Sequence, residues 1–308
     1  MMTRIRTYAL AVVLGALAAG PAGAGARLPP IDTSDVARFY RVYDAAGRHP
    51  GAEALARDYL APGSAALHDF ARLRRVSGTS IAQAIAARPQ IYVGARRCLA
   101  VLPDVKRRLR AALGKLVRLY PEAKLAPITF VVGHGKPVGI TDPAGVTMGL
   151  EALCAADFMD PNLEDRFVHT IAHEYGHIEQ PADVQALEQG QPGATVLRLS
   201  LIEGVGEFTA KLISGGVGEY RPPGWMQGQA AAVDRAFVRD EDKTSDADIA
   251  RWLYNGPGPR SDLGYWVGYR IVQAYYDHAA DKHQALRDIY GMRHPHRFVA
   301  RSGWTPGG

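Results

Sequence analysis

Cysteine is nearly absent from this 308-residue chain, with Cys98 and Cys154 the only two. That excludes a dense disulfide framework and leaves room for one bridge. Long apolar runs are lacking too. The longest, Ala9 to Gly20, is too short to span a membrane comfortably, and no later segment comes closer. A strong excess of one charge sign is lacking: the formal net charge is +5, a mild excess that is poor evidence for nucleic-acid binding. The basic run Lys106-Arg107-Arg108-Leu109-Arg110 has apolar neighbours at helical spacing and reads as a solvated helix face. There is no internal repeat and no low-complexity linker. The remainder is ordinary globular composition, 47% hydrophobic and 22% charged, enough for one large core or two coupled lobes.

The short apolar run follows Arg4 and Arg6 and precedes small residues at Ala22, Ala24 and Ala26. That order is expected of a secretory signal peptide covering residues 1–24. An exported, periplasmic or secreted chain would then follow, without stable membrane insertion. In an oxidising compartment Cys98 and Cys154 are expected to form a disulfide. It would tie the N-terminal helices to the segment before Val168.

Helical periodicity predicts an N-terminal helical region over residues 27–120, with helices from Asp32, over Ala52 to Leu60, Ser64 to Arg74, Ser80 to Ala87 and Asp104 to Leu119. Residues 121–308 change character. PITFVVGHG (Pro127 to Gly135) and GVTMGLEAL (Gly145 to Leu153) contain strands. Helices are expected near Glu164 to Glu179, Ala194 to Ser214, Pro223 to Val238, Tyr265 to Ala279 and Lys282 to Gly291, with a loop from Asn255 to Gly264. The fold class expected is α+β, mainly helical, with a small mixed sheet, an active-site helix and a C-terminal helical lobe.

VHTIAHEYGHIEQ, Val168 to Gln180, carries the chemistry. His173-Glu174-Tyr175-Gly176-His177 fits H-E-x-x-H. Histidines four apart share a helix face and can reach one zinc ion. Glu174, at the edge of that face, can take a proton from a water held at the site. Val168, Ile171, Ala172, Tyr175 and Ile178 make the opposite side apolar. His169, one turn earlier, is expected to be a supporting or ordinary surface histidine. A catalytic zinc needs a third protein ligand and an open position. No third histidine follows in IEQPADVQAL, so the metzincin pattern is excluded. Glu203 and Glu207 are the next candidates: four apart, among Leu201, Ile202, Val205, Phe208 and Leu212, they want a compensating cation. Glu207 has an alternative, an i,i+4 pair with Lys211. Gly204 and Gly206 would let this helix approach the histidine helix closely.

HEYGH followed by EGVGE resembles the gluzincin metallopeptidases, the group of thermolysin and the zinc aminopeptidases. The resemblance implies Glu203 as third metal ligand and Glu207 as the carboxylate holding a ligand histidine, His173. Two positions depart from that pattern: Ile202 stands where Asn often precedes the ligand, and Glu207 where Asp is usual. IDTSDVARFYRVYD, GVTMGLEAL, HEYGHIEQ, IEGVGEF, GYWVGYRIV and FVARSGW resemble, in this order and over most of the chain, a bacterial family of zinc-dependent proteases known only by prediction. From the same resemblance, Tyr265, three residues before Gly268, is the expected oxyanion stabiliser, with Tyr269 and then Arg270 in reserve. An aromatic core stripe is the alternative for the tyrosines. The strand GVTMGLEAL is expected beside the cleft with an exposed edge for substrate. Glu151 matches the place of an amine-binding glutamate, or is a strand-end carboxylate. The expected activity is peptide hydrolysis with one Zn2+ per chain. A zinc hydrolase of another amide, or a non-catalytic zinc-containing binding protein, are the alternatives. The expected partner is a peptide or protein substrate.

Overall fold

Local capping explains where several helices begin. In a computed structural model of the chain, describing residues 28–136, 138–142, 144–187, 190–255 and 261–307, Ser64 accepts from Leu67 N–H, Asn162 from Asp165 N–H and Thr195 from Arg198 N–H. Each satisfies an otherwise orphaned first-turn donor. The expected signal peptide and residues 256–260 of the expected loop lie outside the described residues.

The N-terminal part comprises β1 (Ile31–Asp32), α1 (Ser34–Ala45), α2 (Ala52–Ala54) running into a π-helical turn (Leu55–Leu60), α3 (Ala65–Leu73), α4 (Gly78–Ala87) and α5 (Pro89–Leu119). A small sheet follows: β2 (Ile128–Val131), β3 (Gly139–Asp142) and β4 (Gly145–Gly149). Then come α6 (Leu150–Ala155), α7 (Leu163–Glu179), α8 (Ala182–Gln185), α9 (Val196–Ser214), α10 (Ala230–Asp240), α11 (Asp246–Trp252), α12 (Leu263–His278), α13 (Lys282–Tyr290) and α14 (Pro295–Ser302). The mainly helical α+β class is as expected.

Helix α5 begins fifteen residues before the expected start at Asp104. Pro103 disfavours a helical residue before it. The buried stripe Tyr92, Ala95, Cys98, Leu102, Val105 and Leu109 nonetheless continues through it at helical spacing, and tertiary packing overrides the local signal. The sheet order is β1-β2-β4-β3, parallel except for the antiparallel β3–β4 pair. This corrects the expectation for GVTMGLEAL: β4 is interior, paired on both sides, and the edge strands are β1 and β3. Cys98 and Cys154 are disulfide-bonded, tying α5 to α6. Buried side chains from Ile31 to Phe298 belong to one continuous core.

Helix α9 is the axis on which the site is built. Its sides are both buried, so it shows little amphipathic pattern. Gly206 faces α7: a Cβ there would lie 2.6 Å from His173 Cε1. Gly204 faces the other way, where a Cβ would lie 2.2 Å from the Gly268 backbone of α12. The two glycines therefore bring two helices, rather than one, onto α9 at close range.

Candidate metal centre

His173 and His177 project from α7 toward Glu203 of α9. Their Nε2 atoms are 3.1 Å apart, and Glu203 Oε2 lies 3.3 Å from His173 Nε2 and 3.4 Å from His177 Nε2. Zinc–nitrogen and zinc–oxygen distances of about 2.0–2.2 Å at tetrahedral angles place neighbouring donors about 3.3–3.5 Å apart. The observed triangle fits that spacing.

The imidazole tautomers fit as well. Gln180 Nε2 donates to the Ile202 carbonyl at 3.3 Å, which leaves its Oε1 to accept from His177 Nδ1 at 3.0 Å. Glu207 Oε1 lies 2.7 Å from His173 Nδ1. With Gln180 Oε1 against His177 Nδ1 and the Glu207 carboxylate close beside His173 Nδ1, the Nε2 lone pairs are free to face an ion. Glu207 is held in turn by the Glu219 N–H, 3.1 and 3.2 Å from its two oxygens. Lys211 donates to the Gly215 carbonyl instead, so the alternative pairing for Glu207 is not made.

The electrostatics point the same way. Burial opposes charge on His173, but Glu207 and Glu203 together outweigh it and hold the imidazole well above its ordinary pKa. His177 is raised on the same balance of burial against Glu203. Burial would raise Glu203, yet the two imidazoles reverse this and hold it well below the usual carboxylate range. Two buried carboxylates against two imidazoles form a site that stabilises positive charge, as a divalent cation requires.

Glu174 lies beside this triangle, and its Oε2 accepts the hydroxyl of Thr141 on the edge strand β3. Tyr265 stacks on His173 with ring centroids 6.0 Å apart. Tyr269, one turn on, lines a cavity of about 130 Å³ with Glu207, Val217, Glu219, Trp225 and Tyr265. Arg270 is turned away: it pairs with Asp234 at 2.6 Å and covers the Trp266 ring.

Two further expectations are corrected. Glu151 is 1% exposed, and its Oε1 accepts the N–H groups of Gly133 and Gly135 at 3.0 and 2.9 Å. A carboxylate so enclosed organises the turn after β2 and is not offered to a substrate amine. His169 is buried rather than on the surface, with Nδ1 2.8 Å from Ser214 Oγ.

Four residues at the site escaped the sequence: Thr141, Gln180, Glu219 and Tyr254. The Tyr254 hydroxyl donates to Glu203 Oε1 at 2.9 Å. Gln180, three residues after His177, had a readable signal in its spacing. The others reach the site across many residues of chain, with no local pattern to mark them.

No curated protein and no solved structure matches the chain. Residues 156–289, which contain every one of His173, Glu174, His177, Glu203, Glu207, Tyr254 and Tyr265, are similar to a family described as predicted Zn-dependent protease.

Proposed function

We propose that this chain is an exported zinc metallopeptidase of the gluzincin type, with His173, His177 and Glu203 holding one Zn2+. The observation that carries the reading is the convergence of these three donors within 4.8 Å beside a glutamate that is not one of them. A structural zinc site is normally closed by four protein ligands; here, among the described residues, three converge. The Cys98–Cys154 disulfide supports export, since such bridges persist in oxidising compartments.

Bound zinc would supply Lewis-acid polarisation of a peptide carbonyl and ease deprotonation of water. Glu174 is the general base. Thr141 holds its Oε2, leaving Oε1 to accept the water proton and pass it to the departing amine. Glu207 and Gln180 keep both imidazoles in the ligating tautomer. Tyr265, packed on His173, is better placed than Tyr269 to donate to the oxyanion. An extended substrate would add to the edge of β3, which brings its backbone past Glu174.

Glu174→Gln removes the base and little else. In a peptide-library digest its hydrolysis is expected to fall by at least about 10²-fold, with zinc content unchanged. A variant that cleaves at the wild-type rate with its zinc in place would sink this mechanism.

A further inference from the structure

The two oxygens of Glu203 are not equivalent. Oε2 faces both histidine Nε2 atoms, at 3.3 and 3.4 Å, whereas Oε1 accepts the Tyr254 hydroxyl at 2.9 Å. Glu203 is 8% exposed, so each oxygen wants a partner, and the tyrosine supplies one without adding charge.

Tyr254 is not in place for the sake of core packing. It is 49% exposed and meets the Tyr265 ring edge-on, centroids 6.2 Å apart. Its backbone is left-handed, with φ +58, a conformation that a bulky side chain keeps only where the surroundings enforce it. The enforcement is visible on the following residue. Asn255 N–H donates to Asp262 Oδ1 at 3.1 Å, and Asp262 N–H donates back to Asn255 Oδ1 at 2.8 Å. Asp262 is itself left-handed, φ +52, and sits immediately before α12, which carries Tyr265. A left-handed tyrosine, followed by the cross-bonded Asn255–Asp262 pair, thus aims its hydroxyl at one carboxylate oxygen.

We infer that Tyr254 is a positioning residue that assigns the oxygens of Glu203: by holding Oε1 it reserves Oε2 as the single metal-facing donor and keeps the remaining coordination position for water and substrate. This rests on the reading of His173, His177 and Glu203 as the ligands. Without the hydroxyl the carboxylate can turn about its last bond and offer both oxygens. Loss of a partner that orients a ligand typically weakens metal binding about 10–100-fold.

The test uses the full chain as wild type, Tyr254→Phe, Tyr254→Leu and His177→Ala. Zn2+ affinity is read by competition with a chromophoric chelator. Coordination is read from the visible absorption of the Co2+-substituted proteins, which follows coordination geometry. The melting temperature of each metal-free protein reports the fold. Tyr254→Phe is expected to bind Zn2+ at least about tenfold more weakly, to show an altered Co2+ spectrum, and to melt like the wild type. Tyr254→Leu is expected to match it. Wild-type affinity and spectrum in Tyr254→Phe overturn the inference, including the case in which only Tyr254→Leu is impaired, since the ring and not the hydroxyl would then matter. A wild type that takes up no zinc, or His177→Ala that keeps it, overturns the ligand assignment itself and this inference with it.

Discussion

Helix α7 presents a carboxylate–imidazole cluster toward each end. At its start, donor atoms of Asp160, Asp165 and His169 lie within 4.8 Å of one another, and toward its end those of His173, His177 and Glu203 do the same. By donor proximity the two are alike. They differ in what neutralises the carboxylates. Arg108 from α5 already pairs with Asp165 and with Glu164, His169 Nδ1 is engaged by Ser214, and burial lowers the pKa of His169 and favours its neutral form. The second cluster has imidazoles, a tyrosine hydroxyl and a backbone N–H against its two glutamates. A guanidinium fills the role of cation at one end; at the other the imidazoles stand against the glutamates, and in the proposed function the further positive charge is that of a bound zinc ion. Proximity of donors is thus a weak criterion, and the identity of the counter-charge is the stronger one.

The comparison can be broken at several points. Outside the three donors themselves, the largest effect is expected from Glu207→Ala, which removes the carboxylate 2.7 Å from His173 Nδ1 and with it one of the two negative charges. Zinc affinity, by chelator competition, should fall about 10–100-fold. Asp165→Ala at the other end should leave it unchanged.

Gly206→Ala comes next. The added methyl would sit 2.6 Å from the His173 ring, so either the ligand or α9 must shift. Denaturant titration should show a loss of about 1–3 kcal/mol, accompanied by weaker zinc binding.

Glu151→Ala sharpens the contrast from another direction, because Glu151 and Glu203 are both buried glutamates with opposite shifts. Burial raises the Glu151 pKa, with backbone N–H groups only partly countering it, whereas imidazoles hold Glu203 down. Stripping the Gly133 and Gly135 N–H groups of their acceptor should cost about 1–3 kcal/mol and leave zinc content as it was.

The smallest effect is expected from Asp165→Asn. Its pair with Arg108 is about one third exposed on both sides, and such pairs contribute about 1 kcal/mol or less. Thermal unfolding should shift slightly and zinc content not at all.

These contrasts also mark what could be read from the residues alone. The spacing of His173 and His177, and two carboxylates in the apolar run around Glu203 and Glu207, were visible because helix periodicity places them and burial makes their charge conspicuous. The Cys98–Cys154 bridge was legible from the cysteine count taken together with the expected export to an oxidising compartment. What escaped was long-range. Thr141 lies 33 residues from Glu174, and Tyr254 lies 51 from Glu203. β3, four residues between glycine- and proline-rich turns, has too short a pattern to register, so the cleft edge was placed on β4. Glu151 was misplaced for a related reason: nothing local reveals that the turn at Gly133 and Gly135 folds back onto it. Pro103 hid the first half of α5, where the buried stripe carried more weight than the proline.

Metal analysis of the purified chain tests the account most directly. Wild type and Asp165→Asn should each carry about one zinc, as expected of a single three-ligand site, and Glu203→Ala should carry essentially none while remaining folded by circular dichroism. Full zinc in Glu203→Ala, or loss of zinc in Asp165→Asn, would place the ion elsewhere and contradict the account.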